Sequence, residues 1–241
     1  MALTPSDLPR LAGECAEQWS LSVGEPFVSS ATALVVPVRR DDGGAAVLKV
    51  QCPHRESEHE AEALAQWGGH GAVRLLAVDP DRHAFLVERC EPGQPLATVV
   101  ADDAVGVMID LLPRLWKAAG PPFRTLVDEA AHWTRSLPDH FERAGRPFER
   151  GLVDAAVDQM RILAATQGDQ VLVHQDLHAG NVLKAQRQPW LVIDPKPLVG
   201  EREFAVAPAG WTVAQTMAWA FDGDTVIAHH VAVARWLIGD L

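Results

Sequence analysis

VLVHQDLHAGNVLKAQRQPWLVIDPKPLV (171–199) sets two short apolar runs around a cluster of polar side chains. His174, Asp176, His178 and Asn181 come just after the first run, and Asp194 ends the second. Polar groups are costly to bury unless they are paired. The stretch is therefore either a pair of ordinary turns or a pair of strand ends that present a chemical site. A carboxylate and an amide five residues apart, on a loop after an apolar strand, can divide two tasks. Asp176 can take a proton from a hydroxyl, while Asn181 offers a hard oxygen ligand to magnesium. Asp194, at the tip of the next run, is the second oxygen ligand. His174 and His178 have the i, i+4 spacing of a zinc pair, but a zinc hydrolase of that type needs a helix with a Glu between them. The intervening residues are Gln175, Asp176 and Leu177, following a strand, so His178 reads as an ordinary loop histidine.

Upstream, residues 4–20 predict a helix, with Leu8, Leu11, Cys15 and Trp19 at spacings of three and four. Runs 26–38 and 45–50 read as strands, and Asp42-Gly43 between them signals a hairpin. Residues 54–67 read as a helix whose greasy face carries Ala61, Leu64, Ala65 and Trp67, with GGHG (68–71) as its stop. Two further strands are expected over 73–79 and 83–90. EPGQP (91–95) is a Pro- and Gly-rich connector, after which 102–118, 125–143 and 147–167 read as helices and the chain closes on a helical tail. The expected architecture is α+β: a strand-rich lobe, residues 1–90, joined to a mainly helical lobe, residues 91–241. Clefts between lobes are favoured ligand sites.

Lys49 lies inside VLKV (47–50), where an ammonium is expensive unless it reaches a cleft or a counter-ion. An edge-strand lysine facing solvent is the plainer reading. Glu60 on the following helix is a candidate partner, with Glu56, Glu58 and Glu62 competing. A lysine to fix phosphates, oxygen ligands for a metal and a carboxylate to orient a nucleophile are the parts phosphoryl transfer needs.

The 241 residues carry 21 Lys and Arg against 32 Asp and Glu, a formal net charge of −11. That balance offers no dense basic stripe for nucleic acid and would attract a cationic small molecule. Apolar runs such as ATALVVPV (31–38) are too short to cross a bilayer. MALTPSDLPR (1–10) lacks a basic segment followed by an apolar one, so no secretory signal is expected. Three widely spaced cysteines, Cys15, Cys52 and Cys90, suit a reducing cytoplasm.

VHQDLHAGNVL and VIDPK together resemble the catalytic and metal-binding loops of the aminoglycoside phosphotransferases, in the branch of streptomycin 6-kinases and hydroxyurea phosphotransferases. PVRRDDGGAAVLKV, HEAEALAQWGGHGAVRLL, FLVERCEPGQPL and IDPKPLVGE extend the likeness in consistent order from about residue 20 to 208, and GWTVAQTMAWAF resembles the last helix of the family. The resemblance implies a protein-kinase-like two-lobed fold and a kinase using ATP and magnesium. The acceptor would be a hydroxyl of a small, cationic molecule such as an aminoglycoside. It further implies Asp176 as catalytic base, Asn181 and Asp194 on magnesium, and Lys49, paired to Glu60, on the α- and β-phosphates. His174 would brace the catalytic loop. Backbone groups at Glu88 and Cys90 would bind adenine, and the loop near Ser29, Ser30, Ala31 and Thr32 would lie over the phosphates.

Three features depart from the family pattern. Gln175 stands where Gly usually precedes the catalytic Asp, and a side chain there is unfavourable if the backbone needs φ > 0. Ala205 stands where an Asp usually anchors the loop. Some tens of residues are expected after about residue 208 that this chain lacks. These departures motivate a second reading, a kinase-shaped protein that binds without catalysis. A third keeps the chemistry with another sugar or amino alcohol as acceptor.

Overall fold

Leu8, Leu11, Ala12 and Cys15 fall on one face of helix α1 (Leu8–Gln18), and all four are buried. The computed structural model describes residues 3–30 and 32–205, apart from the side chains of Ser29, Ala101 and Asp102. Against that face lies an antiparallel sheet built from β1 (Ser22–Val23), β2 (Val28–Ser29), β3 (Ala33–Arg39) and β4 (Ala45–Gln51), completed by two later strands. Alternation along β4 sorts its side chains. Ala46, Leu48 and Val50 pack toward α1, which sends Val47 and Lys49 to the opposite face. The β3–β4 hairpin turns where expected, with Gly43 at φ 81° and the Asp42 carboxylate accepting from the Gly44 N–H at 2.8 Å. The expected single strand over 26–38 is instead two: β2 folds back on β3 with Val28 opposite Val35. The turn between them is closed by the Ser30 hydroxyl, which accepts from the Ala33 N–H at 3.1 Å.

Helix α2 (Glu60–Trp67) starts six residues later than its composition predicts. His59, at φ 64°, breaks the helical path, and the preceding residues form a turn closed by Ser57 N–H on the His54 carbonyl. That later start puts Glu60 in the first turn, buried with Ala63, Leu64 and Trp67. Strands β5 (Leu75–Asp79) and β6 (Ala84–Glu88) complete the sheet in the order β1-β3-β4-β6-β5. β4 is therefore central, and Lys49 is not an edge residue.

The connector 91–95 is pinned to the rest of the chain: Gly93 N–H donates to the Lys184 carbonyl at 3.0 Å. Gly93 sits at φ 75°, and a Cβ there would come within 3.0 Å of the Cys90 carbonyl oxygen, so this position needs glycine. Helices α3 (Ala101–Leu115), α4 (Leu126–Arg143) and α5 (Arg150–Ala165) follow, close to the expected spans. One core runs across the connector, joining Leu64, Trp67 and Phe85 to Leu111, Leu172 and Leu198. Trp67 is fully buried, and its indole N–H donates to the Leu115 carbonyl at 2.8 Å.

The stretch 171–199 holds four strands where two were expected: β7 (Gln170–His174), β8 (Val182–Lys184), β9 (Trp190–Val192) and β10 (Pro197–Glu201). β8 and β9 form a small hairpin, while β7 pairs antiparallel with β10, Pro197 opposite His174. The end of β7 and the start of β10 thus meet at one edge. Asp176 and Asp194 flank that edge from two different loops. Ala205 is buried at the end of a short turn of helix, Arg202–Ala205, beside the stacked rings of Trp133 and Phe204. The expected tail helix and the gap after residue 208 lie outside the described residues. No helix among the described residues is long and apolar enough to cross a membrane.

Candidate active site

Lys49 reaches from β4 to Glu60 on α2, donating to both carboxylate oxygens at 2.8 Å. It also pairs with Asp194, and its ammonium lies 5.7 Å from the centre of the Phe85 ring. Of the four glutamates near the start of α2, only Glu60 among the described residues meets this lysine, because the late helix start aims it at β4. Burial alone would pull the ammonium down. The carboxylates of Glu60 and Asp194 outweigh it and hold Lys49 above its ordinary value. Asp194 sits at φ 52°. Burial pushes its carboxyl up, but Lys49 and Lys196 prevail and keep it below the usual carboxylate range. Lys196, two residues on, donates to Asp194 Oδ1 at 3.1 Å.

His174 ties these loops together. It is 1% exposed. Its Nδ1 accepts from the Asp176 N–H at 3.0 Å, with the Lys196 N–H 3.5 Å away, and its Nε2 lies 3.3 Å from the Ile193 carbonyl. Burial lowers its pKa to about 4, so the imidazole is neutral at neutral pH, with Nε2–H donating to Ile193. Both ring nitrogens are engaged, which removes His174 from the zinc pair. His178 is the satisfied loop histidine expected of it, accepting from the Gly180 N–H at 3.0 Å. The backbone of Gln175 has no positive φ, and its N–H donates to the Lys196 carbonyl at 2.9 Å. Gln175 therefore fits without the angles that would demand glycine. Its side-chain Nε2 is buried with no partner among the described residues.

Asn181 donates from Nδ2 to the Asp176 carbonyl at 2.9 Å, with the Asp176 carboxylate 3.5 Å away. Its amide nitrogen is thus committed to the loop, which leaves its oxygen as the free donor atom. Among the described residues no cluster of three or more His, Cys, Asp or Glu side chains is arranged for a metal. Asn181 and Asp194 instead supply two hard oxygen donors beside a cleft. That set fits magnesium, which binds through one or two protein oxygens and completes its shell with water and phosphates.

The cleft encloses about 640 Å³ between sheet and loops. Lys49, Glu60, Glu88, Cys90, Ser30, Asn181 and Asp194 all line it. Asp176 does not; it stands at the edge, half exposed, joined to the lining through Asn181. The side chain of Ser29 and all of Ala31 lie outside the described residues. The Glu88 carboxylate is taken by Arg187 at 3.0 Å and by the Arg74 N–H at 2.9 Å, and the Glu88 N–H donates to the Arg74 carbonyl at 3.0 Å, so what Glu88 offers a ligand is its backbone carbonyl. The Cys90 N–H donates to no group among the described residues. Burial pushes the Cys90 thiol up to about 12, so it lines the cleft as a neutral, apolar group. Sequence reasoning missed Lys196 and His54, both in the lining. The signal for Lys196 was the lysine in VIDPK, two positions after the acid. His54 carried none.

Residues 18–218 match the family described as aminoglycoside/hydroxyurea antibiotic resistance kinase. A streptomycin 6-kinase from Streptomyces glaucescens is 40% identical over 204 residues, 84% of this chain and 66% of that protein. A hydroxyurea phosphotransferase from Kitasatospora aureofaciens is 40% identical over 222 residues, 89% of this chain and 65% of that protein. Among solved structures, the choline kinase LicA from Streptococcus pneumoniae superposes with a TM-score of 0.59 over 88% of this chain and 78% of that one. At 12% identity that likeness speaks for the protein-kinase-like fold alone. The chain spans about two thirds of the length of the curated relatives it matches. Sequence and architecture agree: the chain belongs to the aminoglycoside/hydroxyurea antibiotic resistance kinase family.

Proposed function

We propose that the protein is an ATP-dependent phosphotransferase that acts in the cytoplasm on a hydroxyl of a small cationic acceptor, an aminoglycoside such as streptomycin. One observation carries the reading. Lys49, locked to Glu60, and the oxygen donors Asn181 and Asp194 share one cleft, with Asp176 at its rim. The 40% identity to streptomycin 6-kinase supports the choice of acceptor class, and the net charge of −11 favours a cation.

In this reading residues 1–90 form the nucleotide-binding lobe and 91–241 the lobe with the catalytic loops. Adenine stacks in the apolar end of the cleft and bonds to the backbone at Glu88 and Cys90. The β2–β3 turn, with Ser29 and Ser30, covers the phosphates through hydroxyl and N–H groups. Lys49 binds the α- and β-phosphates, and Glu60 keeps its ammonium from drifting. Asn181 and Asp194 hold magnesium, which would neutralise phosphate charge during transfer. Asp176 orients the acceptor hydroxyl and receives its proton as the new oxygen–phosphorus bond forms. His174 acts on neither substrate: it holds the Asp176 loop against the Asp194 loop.

The test is a screen for ADP release by the purified protein with streptomycin, other aminoglycosides and simple amino alcohols. Release that depends on streptomycin supports the reading. Measurable ATP binding with no release for any acceptor would favour a binding protein instead.

A further inference from the structure

Two ammonium groups converge on one oxygen of Asp194: Lys49, and Lys196 at 3.1 Å. Their situations differ. Lys49 has a second carboxylate, Glu60, in bidentate contact at 2.8 Å. Among the described residues, Asp194 is the sole carboxylate within ion-pair distance of Lys196. Lys196 is also well buried, its side chain 14% exposed. If Asp194 turns to a metal ion, Lys49 keeps Glu60 while Lys196 is left a buried cation without a partner. An uncompensated buried charge is strongly unfavourable, so an anion arriving in the cleft has a ready site there.

Backbone geometry says which part of the nucleotide that is. The Lys196 carbonyl accepts from the N–H of Gln175, the neighbour of Asp176. The Lys196 and Asp176 N–H groups both point at Nδ1 of His174. Lys196 is thereby fixed to the same loop as the proposed base, whereas Lys49 is fixed to the sheet through β4.

We propose that Lys196 is a second phosphate-binding cation that holds the γ-phosphoryl group of ATP during its transfer. The inference rests on the phosphotransferase reading and deepens it. In the step, the acceptor oxygen bonds to the γ-phosphorus and the bond from that phosphorus to the β,γ-bridging oxygen breaks. The acceptor proton passes to the Asp176 carboxylate, and ADP leaves with the bridging oxygen. Lys49 stays with the α- and β-phosphates throughout. Lys196 follows the group that moves.

The experiment compares ATP and ADP binding by calorimetry in wild type, Lys196→Met and Lys196→Arg, with thermal unfolding as the folding check. Loss of one charge-assisted contact to the γ-phosphate should weaken ATP binding about tenfold or more while ADP binding is unchanged. Lys196→Arg, which keeps the charge, should restore much of the difference. Single-turnover transfer should fall with Lys196→Met and partly recover with Lys196→Arg. A Lys196→Met protein whose ADP-to-ATP affinity ratio equals wild type overturns the proposal, whether both affinities hold or both fall together. Because that ratio is read from binding alone, it decides the matter even if the wild type transfers phosphate to none of the acceptors tried.

Discussion

His174 should make the fold acid-sensitive in a defined window. The folded imidazole is lowered from 6.5 to about 4 by burial, so between those values the unfolded chain binds a proton that the folded chain refuses. Stability from this group is complete above 6.5, declines as pH drops, and is gone by about 4. At about 1.4 kcal/mol per pH unit, the whole gap amounts to roughly 3 kcal/mol. About 2 kcal/mol of it should disappear between pH 7 and pH 5. With a urea dependence of about 2 kcal/mol per molar, the unfolding midpoint should fall by roughly 1 M over that interval. Other groups titrate too, so the quantity to measure is the difference between wild type and His174→Gln. The variant is weaker at pH 7, because the two loops lose their shared anchor, but it should lack the imidazole's share of the pH dependence. Curves of midpoint against pH that run parallel in the two proteins would refute a buried neutral His174.

Lys49→Ala should lower kcat/KM for ATP by about 100-fold, the scale of losing one preorganised charge contact; steady-state kinetics at varied ATP that match wild type would remove the lysine from phosphate binding. Glu129 is buried on α4 and pairs with Arg124 and with Arg55, whose Nη2 lies 2.8 Å away. It thereby clasps the loop before α2 to the helical lobe. Glu129→Ala strips two arginines of that partner and should cost on the order of 3 kcal/mol in urea unfolding, whereas an unchanged midpoint would show that the clasp carries no stability.

How much of this was legible in the sequence depends on the range of each interaction. The Asp42-Gly43 hairpin and the helices expected over 102–118, 125–143 and 147–167 are local patterns, and they fall close to where periodicity and turn chemistry put them. The split of 26–38 was hidden because its turn is made by Ser30 hydroxyl bonds and carries no glycine or proline between Val28 and Ala33. α2 was drawn too long because Glu- and Ala-rich composition favours helix, whereas the chain has first to turn at His59. That same turn selects Glu60 over its neighbours, which charge patterning could not do. Concern over Gln175 came from a glycine preference, and the observed backbone shows that position needs none. The Arg187–Glu88 pair joins residues 99 positions apart and no local pattern announced it, whereas Lys196 stands two positions after Asp194, where VIDPK did carry a signal that was passed over.

The central claim is phosphoryl transfer with Asp176 as the base, and mass spectrometry of streptomycin after incubation with ATP and the purified protein tests it most directly. The account predicts a gain of one phosphoryl group with wild type, none with Asp176→Ala, and nucleotide binding retained in that variant. Product formation by Asp176→Ala at the wild-type rate would contradict it.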